Sequence, residues 1–134
     1  MRYISINLCE TVINDSQTNS ISLINMLEEI HAIGFPLLLW RIAAVVTLEK
    51  EASDIAEEYT FNFQIRNNAR VISNQVILAN FNGRPRNRLI MNVQGLPVNE
   101  AGSIIIELKK DDVVVLSATV NVKLPEKPDI KVTN

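Results

Sequence analysis

The sequence has few of the residues on which most enzyme chemistry depends. It contains one cysteine and one histidine in 134 residues. Nucleophilic catalysis usually needs a base beside the nucleophile, and a zinc site usually has several Cys or His ligands. Cys9 and His31 would have to meet by a tertiary coincidence that nothing in the sequence supports, and no G-x-S-x-G segment is present. We therefore predict no catalytic residues, no metal site, no cofactor and no enzyme activity.

Glycine and aromatic residues are also scarce. The four glycines are too scattered along the chain for a phosphate-binding loop or a dinucleotide-binding fingerprint. Aromatic residues make up 5% of the sequence, which leaves little from which to build the lining of a sugar-binding cleft. The sequence therefore identifies no small-molecule substrate.

The chain lacks the features of a secreted or membrane-inserted protein. A single cysteine cannot form a disulfide within the chain, so nothing indicates an oxidising compartment. Residues 1–15 contain no unbroken apolar segment of the kind found in secretion signals. The longest strongly apolar stretch, residues 35–48, contains Pro36 and Arg41 and is shorter than the roughly 20 residues that cross a bilayer. We expect a cytoplasmic protein with no membrane contact.

Aliphatic residues, in contrast, are abundant and alternate with polar ones. Ile, Val and Leu account for 43 residues, which excludes a disordered chain. The alternation is regular along residues 3–8, 59–66 and 113–124, as expected of strands with one buried and one solvated face. We predict further strands, from less regular patterns, at residues 20–27, 41–48, 72–81, 89–93 and 104–108.

Strands at this spacing, separated by turn residues, favour a sandwich. We predict an all-β fold, a single antiparallel β-sandwich of about seven or eight strands that is immunoglobulin-like or C2-like. The domain spans residues 1–124, and residues 125–134 form a C-terminal tail. Lys110-Asp111-Asp112 is predicted to be the tip of the last hairpin. Whether residues 26–33 or 49–58 contain a helical turn is left open.

Two local features carry separate predictions. Asn82-Gly83 is typical of a hairpin turn, but Pro85 cannot donate to a strand ladder, so we expect the next strand to begin near Arg88. Trp40 is the only tryptophan and precedes an apolar strand. It is predicted to anchor the core, because its ring has a large apolar area to bury. A ligand-stacking role is the alternative.

Charge is distributed unevenly along the chain. Residues 1–67 contain nine acidic and four basic residues, whereas residues 68–134 contain six acidic and nine basic ones. Arg84, Arg86 and Arg88 form the densest basic segment. They are a candidate polyanion-binding site, because guanidinium groups match phosphate geometry. The alternative, favoured by the acidic pI, is that they prevent a sheet edge from pairing with another chain, and nucleic acid is not an expected partner.

Glu28, Glu29 and His31 form the one cluster with metal-ligand chemistry. One histidine with two adjacent carboxylates falls short of a zinc site, and adjacent side chains on a strand point to opposite faces. A polar strand end is therefore the favoured interpretation. A small metal-dependent hydrolase built on these residues is the less favoured alternative.

Two segments carry a resemblance to known sequences. The first is Ser22-Leu23-Ile24-Asn25-Met26-Leu27-Glu28-Glu29 with Phe35-Pro36 after it, and the second is Leu96-Pro97 followed by Gly102 and Asp111-Asp112. Over about residues 3–124, this layout resembles an uncharacterised family of small bacterial single-domain proteins of unknown function. The resemblance implies a β-sandwich without an assigned activity or cofactor, and it transfers no functional residue.

These observations favour a non-catalytic protein-interaction or scaffolding module. A protein partner or self-association is expected, since strand edges and the apolar segment Phe35–Leu39 offer surface for pairing. A structural component of a phage or secretion-type assembly is the alternative, which rests on analogy of fold.

Overall fold

The computed structural model describes residues 1–18 and 20–124, and this part of the chain contains strands and no helix. Two sheets face each other without closing into a barrel, with strand orders β2-β1-β4-β7 and β3-β9-β8-β5-β6. The all-β, two-sheet prediction is confirmed, and the predicted tail at residues 125–134 lies outside the described residues. The nine strands are β1 (Arg2–Asn14), β2 (Ile21–Met26), β3 (Glu29–His31), β4 (Leu37–Glu49), β5 (Glu58–Asn67), β6 (Arg70–Asn80), β7 (Arg86–Val98), β8 (Gly102–Lys110) and β9 (Val113–Lys123).

All eight predicted strands are present, and β3 is the one that the sequence analysis missed. It has three residues, too few to show a readable alternation, and it pairs parallel to β9 in an otherwise antiparallel structure. The two segments left open contain no helix. The loop between β4 and β5 contains a tight turn in which the Asp54 amide donates to the Glu51 carbonyl at 3.0 Å.

The core lies between the two sheets and is built from alternate residues of each strand. On β5, Phe61, Phe63 and Ile65 are at most 1% exposed. One group of buried residues surrounds Phe63 and a second surrounds Phe61. Burying side chains of this size contributes about 1.5–3 kcal/mol each to the stability of the fold. Strands that alternate apolar and polar residues are therefore stabilised by packing their apolar faces together.

The strand pair β4–β7 changes its inward face at Trp40. Leu39 packs towards the core before this point and Ile42 does so after it. The register of the pair is constant throughout, but Trp40 and Gly95, which would face each other, are not paired. Gly95 has φ +68°, a left-handed conformation that glycine adopts readily. Trp40 therefore points outward and is 74% exposed, so the prediction that it anchors the core is wrong.

The Asn82-Gly83 turn connects the two sheets. Both residues have positive φ, and the Arg84 amide donates to the Phe81 carbonyl at 2.9 Å, as in a type I′ turn. The strands on either side, β6 and β7, belong to opposite sheets, so the turn does not close a hairpin. β7 begins at Arg86, directly after Pro85 and slightly before the predicted start.

The last hairpin forms as predicted. Asp111 and Asp112 have φ values of 50° and 64° and connect β8 to β9. Two consecutive residues with positive φ are what a two-residue type I′ turn requires.

β1 and β4 separate at one end of their sheet. They pair only as far as Cys9 and Ala43. β1 continues past Cys9 to Asn14 and pairs there only with β2. The part of β4 that precedes Ala43, from Leu37 onward, pairs only with β7. We call the resulting opening, between β1 residues 10–14 and β4 residues 37–42, the β1–β4 split.

Candidate functional site

A cleft of about 520 Å³ lies at the β1–β4 split, within the roughly 300–1,000 Å³ usual for ligand sites. Its walls are mainly apolar and its rim is charged. We call it the tryptophan cleft, and it is lined by Leu27, Ile30, Leu39 and Trp40 together with Glu10, Glu29 and Arg41.

Apolar side chains also cover the outer face of the sheet around this split. Ile13, Ile24 and Met26 lie on the β1–β2 side, and Leu38 lies with Trp40 on the β4 side. The first four are between 38% and 52% exposed. Exposed apolar patches of several side chains mark interaction sites in soluble proteins, and tryptophan is among the residues that contribute most to protein interfaces.

The carboxylates at the rim of the tryptophan cleft already have partners. Glu10 accepts a hydrogen bond from the Asn25 amide at 2.8 Å, and Glu29 lies 2.8 Å from the Lys123 ammonium group. The hydrogen bond from Lys123 lowers the pKa of Glu29, which keeps this carboxylate ionised. Arg41 forms no ion pair with any residue in the described part of the chain. Its side chain is exposed.

The structure does not assemble the candidate metal-binding residues into a site. Glu29 and His31 share a face of β3, with His31 Nε2 at 3.9 Å from Glu29 Oε1, while Glu28 precedes the strand. Lys123 already contacts the same carboxylate oxygen. Among residues 1–18 and 20–124, no three His, Cys, Asp or Glu side chains are grouped so as to hold a metal ion.

Cys9 is buried in the sheet opposite the one that carries His31. Its side chain is fully buried, and its Sγ lies 3.8 Å from the Ala43 carbonyl oxygen. Burial raises the pKa of the thiol, which favours the protonated and unreactive form. In the described structure no hydrogen bond joins Cys9 to His31.

The three predicted arginines line a second cleft, of about 580 Å³, where the chain crosses from β6 to β7. All three side chains are exposed. We call this the arginine cleft, and its remaining lining residues are Asn80, Phe81, Asn82 and Asn87.

Hydrogen bonds hold the turn that forms the arginine cleft. The Gly83 amide donates to Glu57 Oε2 at 2.8 Å, and Asn87 Nδ2 donates to the Asn80 carbonyl at 2.8 Å. Lys50 pairs with the other oxygen of Glu57 at 2.9 Å. The bond from Gly83, followed by the one from Lys50, lowers the pKa of Glu57. The rim of the cleft is therefore fixed by a carboxylate that stays charged at neutral pH.

Arg86 differs from the other two arginines because it is paired with an acid. Its Nη2 lies 2.8 Å from Glu49 Oε2, and Arg2 Nη1 lies 3.3 Å from the other oxygen. Glu49 on β4 is the cross-strand partner of Arg2 on β1 and of Arg86 on β7. Arg84 and Arg88 form no ion pair within the described residues. β7 is also an edge strand, so its arginines occupy a position in which charge discourages edge pairing.

The three arginines of the arginine cleft could be singled out from the sequence as a candidate polyanion-binding site, whereas the tryptophan cleft was not predicted. Leu27, Ile30 and Leu39 have the pattern of ordinary core residues, and the cleft arises because β1 and β4 diverge, which side-chain alternation does not encode. One signal was available, since an isolated glycine within a strand, such as Gly95, often marks an irregularity.

No segment of the described chain forms a helix that could span a membrane. A family model matches residues 4–123, from within β1 to the end of β9. Comparison with the curated proteins gives no match. The matching model is described as a family of unknown function, DUF6941. Because the match covers the whole sandwich except the first two residues of β1, the chain belongs to this family of unknown function.

Proposed function

We propose that this domain is a non-catalytic protein-interaction module that binds an extended segment of a partner protein in the tryptophan cleft. The supporting observation is the 74% exposure of Trp40 beside a wall formed by Leu27, Ile30 and Leu39. Tryptophan has one of the largest apolar surfaces to bury. A partner that covers Trp40 removes from water the apolar surface that the folded domain leaves exposed, and this burial stabilises the complex.

The β1–β4 split favours an extended segment as the occupant. β1 beyond Cys9 and β4 before Ala43 each have one neighbouring strand in place of two. Backbone groups on the facing edges are therefore not paired with each other. A strand-like peptide satisfies such groups with its own backbone and places alternate side chains into pockets along its path.

The charges at the rim restrict the chemistry of the partner. Glu10 and Glu29 are compensated by Asn25 and Lys123, whereas Arg41 has no acidic neighbour within ion-pair distance in the described chain. Complementary charge improves the rate and specificity of association. We therefore expect a partner segment with apolar residues for the cleft and an acidic residue near Arg41.

The test is a selection of random extended peptides on the intact protein, followed by titration of the selected sequences. Trp40 is the only tryptophan, so its fluorescence reports directly on the cleft. We expect selected peptides to combine apolar and acidic residues and to shift the emission to shorter wavelength. Trp40→Ala, which has no tryptophan emission and is therefore titrated calorimetrically, should bind them at least about tenfold more weakly, as expected for a tryptophan at the centre of an interface.

Val76→Ala provides the matched control, because Val76 is 75% exposed on β6 of the opposite sheet. This variant should bind the selected peptides as the unmodified protein does. Peptides that leave the tryptophan emission unchanged, or that lose affinity equally in both variants, would show that the tryptophan cleft is not the binding site.

A further inference from the structure

We propose that the arginine cleft is a second binding site, for a small ligand that carries a phosphate monoester, and that Arg84 and Arg88 hold the phosphate while Arg86 does not. This inference is independent of the protein-binding role of the tryptophan cleft. It depends on how the charges of the cleft are partnered.

The two unpaired arginines of the cleft match the charge of a single phosphate monoester. Arg86 is already engaged by Glu49, which also contacts Arg2. Arg84 and Arg88 remain without acidic partners in the described chain. A phosphate monoester carries a charge of about −1.5 to −2 at neutral pH, and the guanidinium group is suited to bind its oxygens in pairs.

Besides Glu49, two further acids near the cleft already have partners. Glu57 binds Lys50 and the Gly83 amide, and Glu58 lies 3.4 Å from the side-chain amide of Asn80. Neither carboxylate lines the cleft. They therefore do not compete directly for the guanidinium groups of Arg84 and Arg88.

The remaining lining residues favour a small ligand over a nucleic acid. Three asparagines supply neutral hydrogen-bonding groups, and 580 Å³ leaves room for an organic group beside the phosphate. Phe81 is the one aromatic residue in the lining, and it is 2% exposed. Single-stranded nucleic acids are bound largely by stacking bases on exposed aromatic rings, which this cleft does not present.

The experiment is a titration with phenyl phosphate, followed by NMR spectra of the backbone amides and the arginine Nε–H groups. We expect saturable shifts confined to residues 80–88. Arg84→Gln and Arg88→Gln should each weaken binding about tenfold, because each removes a charge-assisted contact. Affinity should also fall below pH about 6, where the phosphate loses its second charge.

Two further variants separate a specific site from general attraction to positive charge. Arg70→Gln removes an exposed arginine at the far end of β6 and should leave the affinity unchanged. Glu49→Gln releases Arg86 from its ion pair and should increase the affinity for phenyl phosphate. Circular dichroism of each variant verifies that the fold is intact.

Several results would overturn the proposal. One is the absence of saturable shifts at residues 80–88 in a correctly folded protein. Another is an equal loss of affinity in Arg70→Gln and Arg84→Gln, which indicates diffuse electrostatic attraction. A single-stranded DNA oligonucleotide that binds the cleft more tightly than phenyl phosphate, with a steep dependence on salt, would assign the site to a polyanion instead.

Discussion

Replacing Trp40 with alanine tests the outward orientation of this side chain, on which the proposed function depends. The structure leaves about a quarter of the side chain buried, since 74% is exposed. A fully buried tryptophan removes about 150–250 Å² from water. At about 25 cal/mol per Å², burial of a quarter of that area is worth roughly 1–1.5 kcal/mol.

Phe63→Ala provides the comparison, because Phe63 is 1% exposed at the centre of one core cluster. Removing a buried aromatic ring typically costs about 3–5 kcal/mol. Both free energies of unfolding can be measured by urea denaturation followed by far-ultraviolet circular dichroism. This method is preferable to fluorescence, because Trp40→Ala removes the only tryptophan. A loss for Trp40→Ala as large as that for Phe63→Ala would place Trp40 in the core and refute the proposed orientation.

Four further predictions follow from individual contacts. Asn67 is 1% exposed and makes four hydrogen bonds to the backbone of residues 99–103, so Asn67→Ala should cost about 2–3 kcal/mol in urea denaturation. Gly102 has φ +127°, and a Cβ there would collide with the Asn68 side chain, so Gly102→Ala should cost about 1–3 kcal/mol in the same assay. The folded-state pKa of Glu57 is below its ordinary value of 4.5. The ionised carboxylate therefore stabilises the folded protein above pH 4.5, and this stabilisation is lost as the pH falls through the lower folded-state pKa. In urea denaturation, the free energy of unfolding of Glu57→Gln should therefore fall less over that pH range than that of the unmodified protein. Calorimetric titrations should show that a peptide in the tryptophan cleft leaves the affinity for phenyl phosphate unchanged.

The extent to which the sequence predicts this fold follows from the length of each alternating pattern. The alternation agrees with burial along β5 and along β9 from Leu116 onward, so these strands and their buried faces could be predicted. β3 has three residues and is defined by its pairing with β9, which no local pattern reveals. The Asn82-Gly83 turn was predictable in its backbone conformation but not in its role, because local turn chemistry does not specify which sheet receives the next strand.

The two clefts differ in predictability for the same reason. Arg84, Arg86 and Arg88 lie close together in sequence on and just before one strand, so any fold that contains this strand brings them into one region. The tryptophan cleft combines residues from β1, β3, β4 and the segment before β3. Its existence depends on where β1 and β4 stop pairing and on the change of inward face at Trp40. Both are properties of strand pairing between distant parts of the chain.

The β4–β7 pair determines how the two clefts are arranged. Its register is constant from Leu37 with Val98 to Glu49 with Arg86, although Trp40 and Gly95 are not paired. Trp40 therefore lies towards one end and the Arg86–Glu49 pair lies at the other. Glu49 follows Trp40 by nine positions along the strand, which corresponds to about 30 Å at roughly 3.3 Å per residue. At this distance salt screens direct electrostatic coupling between the two clefts, since the screening length is about 8 Å at physiological ionic strength. We therefore expect the two proposed sites to bind their ligands independently of each other.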